Sequence, residues 1–284
     1  QHRRQIRFLV STVYDFATFS IVHVKTPVFN FKLRYFQIGC CISAVVGVCL
    51  NLHQAKLKDD PTFSYEIAAI IKDGIQKMYV ENKNYFYYIT TMNENYEQPE
   101  MPEGSEEGII KGLYKFKSCN NPQVRLVGSG SILRESIKAA KLLQNYGIDS
   151  EVWSATSFNL LRKEGMEVER ENQLNPTLEQ KTSYVSECFN DSDIPIIATT
   201  DYMRSYAEQI RPYITSQYTV LGTDGFGRSD SREKLREFFE IDSSSITRAA
   251  AYSLFKENKI DKVMLEKIYN DVNIDASKPN PWEV

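Results

Sequence analysis

The side chains best placed to do chemistry in this sequence fall in two loops. Residues 222–233 (GTDGFGRSDSRE) bring Asp224, Arg228, Asp230 and Arg232 together with three glycines in six residues, a spacing that implies positive dihedrals or close approach of the backbone to something bound. Charges of both signs on such a loop can hold a polar ligand, or can pair with one another and merely shape the turn. Composition does not separate the two. Residues 93–104 (NENYEQPEMPEG) set Asn93, Glu94 and Glu97 on a loop interrupted by prolines. Glu94 and Glu97 are either poised carboxylates or simply solvated ones, and solvation is the ordinary state of an exposed carboxylate. A third candidate, Gly128-Ser129-Gly130-Ser131, could offer helix N-terminal amides to an anion. Its spacing fails the dinucleotide fingerprint at Leu133, and the plainer reading is a tight strand-to-helix turn with Ser131 as N-cap.

The residues that are missing narrow the chemistry further. Histidine occurs only at positions 2, 23 and 53, so the rest of the chain can build neither a Ser-His or Cys-His nucleophile nor a histidine zinc site. Cys119 and Cys188 are too isolated for a disulfide framework or a zinc-ligand pair, and read as small core residues of a reducing, cytoplasmic protein. Residues 1–56 carry seven Lys/Arg and one Asp, whereas residues 57–284 carry 27 Lys/Arg and 36 Asp/Glu. This electrical break marks two pieces of different character, and the acidic piece lacks the basic, aromatic face of a nucleic-acid binder. Residues 36–52 are uncharged, but seventeen residues that include Gln37, Ser43 and Asn51 fall short of the roughly 20 apolar residues of a membrane span. A buried element, or a stretch foreign to the rest, is the expectation there.

These loops need elements to position them. Asp60-Pro61 reads as an N-cap followed by proline at the first helical position, after which Ile67, Ile70, Ile71, Ile75 and Met78 recur at helical spacing. Residues 85–91 (YFYYITT) predict a strand that delivers the 93–104 loop, and residues 109–114 predict a further helix. Strands are expected at residues 124–127, 151–155, 194–198 and 218–221. Helices are expected at 131–145, after Asp201 as a cap, at 246–257 and at 262–271, with an extended tail. Alternating strands and helices imply a mostly parallel sheet with helices on both faces.

At the loops the sequence resembles a known family. The strings DPTFSYEIAAIIKDG, YYITTMNENYEQPEMPEGSEEGI, VGSGSILRESIKAA, TTDYMRSYAEQIRPYI and VLGTDGFGRSDSREKLREFFEID resemble the carboxyl-terminal part of the homodimeric type of pyruvate dehydrogenase. That family is the thiamine diphosphate-dependent, decarboxylating component of the pyruvate dehydrogenase complex. The resemblance implies an α/β, transketolase-like architecture: the tail of a pyrimidine-binding domain over residues 57–102, then a transketolase C-terminal-like domain over residues 103–284. Residues 1–56 lie outside it. It also implies conversion of pyruvate to carbon dioxide with acetyl transfer to lipoyl groups, toward acetyl-CoA. The implied cofactors are thiamine diphosphate and magnesium, and the implied partners are a second copy in a homodimer and dihydrolipoyl acetyltransferase.

The sequence also departs from that family. Its GDG motif with a later asparagine, which holds magnesium and the diphosphate, and the glutamate that activates the cofactor do not occur here. Residues 1–56 stand where the family has a histidine- and glutamate-rich stretch lining the active site, and some relatives have histidine at the position of Glu97. Thiamine catalysis needs those groups around one preorganised cofactor. The expectation is therefore a C-terminal fragment that binds neither thiamine diphosphate nor magnesium alone and does not decarboxylate pyruvate. No residue is assigned as catalytic or as a metal ligand; Asn93 and Glu94, and after them Asp224 and Arg228, are expected at the rim of the substrate channel. A non-catalytic dimerising or regulatory domain is the alternative, and a membrane anchor in residues 1–56 is another. A rearranged gene that joins foreign codons to an enzyme tail would explain the charge break and the missing motifs together.

Overall fold

The computed structural model describes residues 8–13 and 57–284; the uncharged stretch at 36–52 lies outside the described residues. The described residues form two sheets. In the smaller, β1 (Phe8–Val13), β2 (Leu57–Asp59) and β3 (Tyr87–Met92) run parallel in the order β1-β3-β2. The larger has five strands, β4 (Tyr114–Lys117), β5 (Val124–Gly128), β6 (Ser150–Ser154), β7 (Ile196–Thr199) and β8 (Tyr218–Leu221), in the order β4-β6-β5-β7-β8. All neighbours are parallel except the edge strand β4, which is antiparallel to β6.

The sheet is covered on both faces because its strands are apolar on both. Along β5, Val124 and Leu126 enter one core and Val127 the other; Val152 and Trp153 of β6, and Ile197 and Ala198 of β7, divide in the same way. A side-chain period of two requires this. The first face is closed by α3 (Leu133–Gln144), α8 (Ser243–Lys256) and α9 (Lys262–Asp271), through Leu133, Leu143, Ile246, Leu254 and Ile268. The second is closed by α4 (Phe158–Leu174), α5 (Tyr184–Phe189) and α6 (Arg204–Glu208), through Phe158, Leu161, Val185 and Ala207. A third apolar cluster joins the two sheets: Ala69 and Ile70 of α1 (Ser64–Ile75) and Tyr87 and Ile89 of β3 pack with Ile109 of α2 (Glu106–Lys111) and Tyr114 of β4.

Several local expectations are corrected. Asp60 does not cap α1: the N-cap is Phe63, and Glu66 reaches back to accept its backbone N–H at 2.8 Å. Ser131 does not cap α3 either; it lies in a 3-10 turn at Gly130–Ile132, and its hydroxyl donates to Asp201 at 2.9 Å. Asp201 is thereby engaged, and α6 begins three residues later behind Met203. The helix expected at 109–114 ends at Lys111, because Gly112 adopts a left-handed φ of 102° and turns the chain into β4. The Tyr87–Met92 strand lies a little later than expected, and the tail ends in a 3-10 turn at Pro281–Glu283. Cys119 and Cys188 are half-buried and form no disulfide; Cys188 packs against the second core, whereas Cys119 joins none of the apolar clusters.

Candidate functional site

Strand β3 ends at Met92 and releases the 93–104 loop beside the first turn of α7 (Arg232–Phe238), which ends the glycine-rich loop after β8. Arg232 joins the two loops: its Nη2 donates to the Asn93 carbonyl at 3.1 Å, and its Nη1 lies 3.7 Å from Glu94 Oε2. Glu94 also faces Arg134 of α3 at 2.9 Å and Arg236 of α7 at 3.9 Å. Burial would raise its carboxyl, but the adjacent Arg134 and the charges of Arg236 and Arg232 outweigh that and hold it below the ordinary carboxylate range. Glu94 is therefore an ionised hub beneath three guanidiniums, which corrects the solvated reading. Arg236 continues inward to the buried Glu135 at 3.2 Å, and Glu135 accepts the Ser243 amide at 3.1 Å. Arg134 also stacks on the Tyr96 ring, 4.5 Å from its centroid.

The other two candidates sit apart from this hub. Asp224 accepts the Arg204 backbone N–H at 3.2 Å and lies 3.4 Å from the Arg204 Nε. The Arg204 guanidinium in turn covers Trp282 of the tail. Gly225, with a φ of 116°, allows this seat: a Cβ there would stand 2.8 Å from the Pro281 carbonyl oxygen. Arg228 is exposed and stacks its guanidinium on Phe238, 4.8 Å from the ring centroid. The structure thus brings Asn93 and Glu94 together on Arg232, and ties Asp224 and Arg228 to the tail and to α7. Glu97 is exposed.

Sequence reasoning singled out Arg232 but missed the other two arginines of the hub, Arg134 and Arg236. Arg232 and Arg236 are four residues apart, one helical turn, so both reach the same side of α7. That spacing was available; what could not be read is that Arg134, about a hundred positions earlier, would join them.

Two further carboxylates pass from the smaller sheet into the larger domain. Glu66 is fully buried and accepts four hydrogen bonds: from the Thr62 and Phe63 amides, from Tyr114 Oη at 2.6 Å and from Ser154 Oγ at 2.7 Å. Burial still pushes its carboxyl up against those four donors. Asp60, also buried, is held by Thr90, Tyr202 and Tyr206.

Magnesium with a diphosphate requires a set of oxygen ligands free to face the ion. Glu94 is charge-paired with three arginines, and the Asp60 and Glu66 carboxylates are held by hydroxyls and amides. Among the described residues no group of three or more carboxylate, histidine or cysteine side chains could hold a metal. The carboxylates among the described residues therefore do not fit the magnesium ion that accompanies a diphosphate.

The larger sheet defines the class. Residues 112–242 match the transketolase-like TK C-terminal domain family. Among solved structures, the chain is similar to transketolase from Leishmania mexicana, at 18% identity and a TM-score of 0.52, over 74% of this chain and 27% of that one. It is equally similar to a transketolase from Pichia stipitis, at 19% and 0.52 over 75% and 27%. The fold is that of a transketolase-like C-terminal domain.

Sequence relatives make the assignment narrower. Residues 51–99 match the pyruvate dehydrogenase E1 component middle domain family. The chain is 48% identical over 230 residues to the pyruvate dehydrogenase E1 component of Cupriavidus necator, covering 79% of this chain and 26% of that protein. For the Pseudomonas aeruginosa protein the figures are 51% over 229 residues, 79% and 26%, and for Escherichia coli K12 they are 48% over 227 residues, 78% and 25%. The chain is homologous to the pyruvate dehydrogenase E1 components over nearly four fifths of its own length and spans about a quarter of the length of the curated relatives it matches.

Proposed function

We propose that this chain is the carboxyl-terminal part of a pyruvate-decarboxylating E1 component and does not perform that reaction alone. In the whole enzyme thiamine diphosphate and magnesium would supply the carbanion chemistry, and dihydrolipoyl acetyltransferase would receive the acetyl group. Residues 57–102 close the pyrimidine-binding domain and residues 103–284 form the C-terminal domain. Asn93, Glu94, Asp224 and Arg228 lie toward the rim of the substrate channel, in a homodimer working in the cytoplasm.

The observation that carries this reading is the Glu94 hub. It consumes the carboxylate nearest the loops on three arginines; a charge neutralised in this way shapes a rim and is a poor general base. The hub fixes one loop of the smaller sheet against one of the larger, which is a positioning task.

The test is carbon dioxide release from pyruvate by the purified chain with thiamine diphosphate and magnesium, beside a full-length E1 component as positive control. No release above the cofactor-only background is expected. Cofactor-dependent release would refute the proposal. Size-exclusion chromatography with light scattering, expected to show a dimer, separately tests the oligomeric part.

A further inference from the structure

The larger sheet reverses its strand order at β5: the chain steps from β5 to β6 on one side, then to β7 on the other. Open α/β sheets hold their ligands at such a point, beyond the carboxyl ends of the two strands. Here those ends are Gly128 and Thr199, and what sits beyond them is the chain's own Asp60, delivered by β2. Its carbonyl oxygen accepts the Gly130 amide at 3.1 Å, and its amide donates to the Thr156 carbonyl at 2.7 Å. Thr62 Oγ1 then donates to the Gly130 carbonyl at 2.6 Å.

The Asp60 carboxylate is held as a ligand would be. Its Oδ1 accepts from Thr90 Oγ1 at 2.7 Å and from Tyr202 Oη at 2.9 Å, and its Oδ2 accepts from Tyr206 Oη at 3.0 Å. The Lys58 ammonium stands 3.6 Å from Oδ2 and lies over both phenol rings, 3.6 and 4.0 Å from their centroids. Tyr202, in the bend before α6, and Tyr206, within α6, come from the segment that follows β7, and their ring centroids lie 4.9 Å apart. Removing a carboxylate from water costs several kcal/mol unless hydrogen bonds replace its hydration. Three hydroxyls and one ammonium replace it here, with Asp60 only 2% exposed.

We propose that this switch-point crevice is a binding site for a small carboxylate, and that Asp60 is its tethered, permanent occupant. The crevice is the socket that docks the smaller sheet onto the larger domain. A planar two-oxygen anion with one cation beside it is the chemistry the socket selects.

The test uses the full chain with Asp60→Gly, which empties the socket and leaves Lys58, Thr90, Tyr202 and Tyr206 in place, and formate or acetate as probe against chloride at equal ionic strength. At about ten times its dissociation constant, the carboxylate is expected to raise the variant's unfolding midpoint by about 3–6 °C and to leave the unsubstituted chain unchanged. Adding Tyr202→Phe and Tyr206→Phe is expected to abolish the response. Asp60→Asn, which fills the socket without a charge, is expected to fold and to give no response. If Asp60→Gly folds only in formate or acetate, that recovery supports the socket. A folded Asp60→Gly that ignores carboxylates, an equal response in the unsubstituted chain, or failure to fold in either salt would overturn it.

Discussion

Asp59 gives the sharpest quantitative expectation. It is 3% exposed, and its Oδ2 has no hydrogen-bond partner among the described residues. Burial first, and then the like charge of Asp60, push its carboxyl from 3.8 up to about 8, against the opposing pull of Lys77 and Lys58; Asp73 adds to the rise. An unfolded aspartate ionises near pH 3.9. Between those limits the folded chain holds one more proton than the unfolded chain, so stability is greatest at the acid end. It falls by about 1.4 kcal/mol per pH unit as pH rises, and levels off above about pH 8. Integrated, the loss has a ceiling of about 6 kcal/mol, which rivals the whole stability of a domain. Asp59→Asn keeps the shape and removes the titration. Urea unfolding of both proteins from about pH 5.5 to 8.5 is the assay, and taking the difference between them cancels the other titrating groups. The variant's advantage is expected to grow by about 1.4 kcal/mol per pH unit up to about pH 7.5. Parallel stability curves for the two proteins across that range would refute the reasoning.

Three other outcomes follow from named contacts. Glu66→Ala strands two amides and two hydroxyls in the interior, and is expected to cost about 3–5 kcal/mol, read as a fall of about 10 °C in unfolding midpoint; a shift near zero would mean the four donors find water. Gly165→Ala sets two effects against each other: alanine favours α4 by about 1 kcal/mol, but its Cβ would enter the ring of the buried Tyr213, an overpacking of about 1–3 kcal/mol. Net destabilisation in denaturant is expected, and a gain would show that Tyr213 moves freely. Glu94→Ala leaves Arg134, Arg232 and Arg236 facing one another; it should cost about 1 kcal/mol and speed thermolysin cleavage within 93–104, whereas an unchanged cleavage rate would detach the hub from loop order.

The larger sheet was legible in the sequence because its strands carry unbroken apolar runs between turn residues: β8 was placed to the residue, and β5 and β7 within two positions. The missed elements lack such signals. Helix α4 buries only Phe158, Leu161 and Gly165 among its seventeen residues, so its apolar stripe is too thin to read. The edge strand β4 is four residues of alternating tyrosine, lysine and phenylalanine that a helix could equally carry. Of the candidate site, the acidic and amide side was visible as a loop. The arginines that decide its chemistry come from elements brought together only by the fold.

The same limit explains why the sequence reads Asp60 as a helix cap and does not single out Glu66. A local rule assigns aspartate before proline to a helix cap, and it is a sound rule when the acid faces water. Here two of the three hydroxyls that compete for Asp60 lie over a hundred residues away on Tyr202 and Tyr206, the third being that of Thr90, and those that compete for Glu66 lie on Tyr114 and Ser154. Apolar contact between the two sheets, through Ile70, Ile89 and Ile109, supplies attraction without direction, because dispersion and hydrophobic burial tolerate sliding. Buried carboxylates do not tolerate it: a displacement that breaks one hydrogen bond exposes a charge in a low-dielectric interior. Two such groups, Glu66 at Ser154 on the carboxyl end of β6 and Asp60 at Tyr202 and Tyr206 beyond the carboxyl end of β7, fix both the position and the rotation of one sheet on the other. The orientation of β3, and with it the place at which Asn93 and Glu94 meet Arg232, is inherited from that pair of acids.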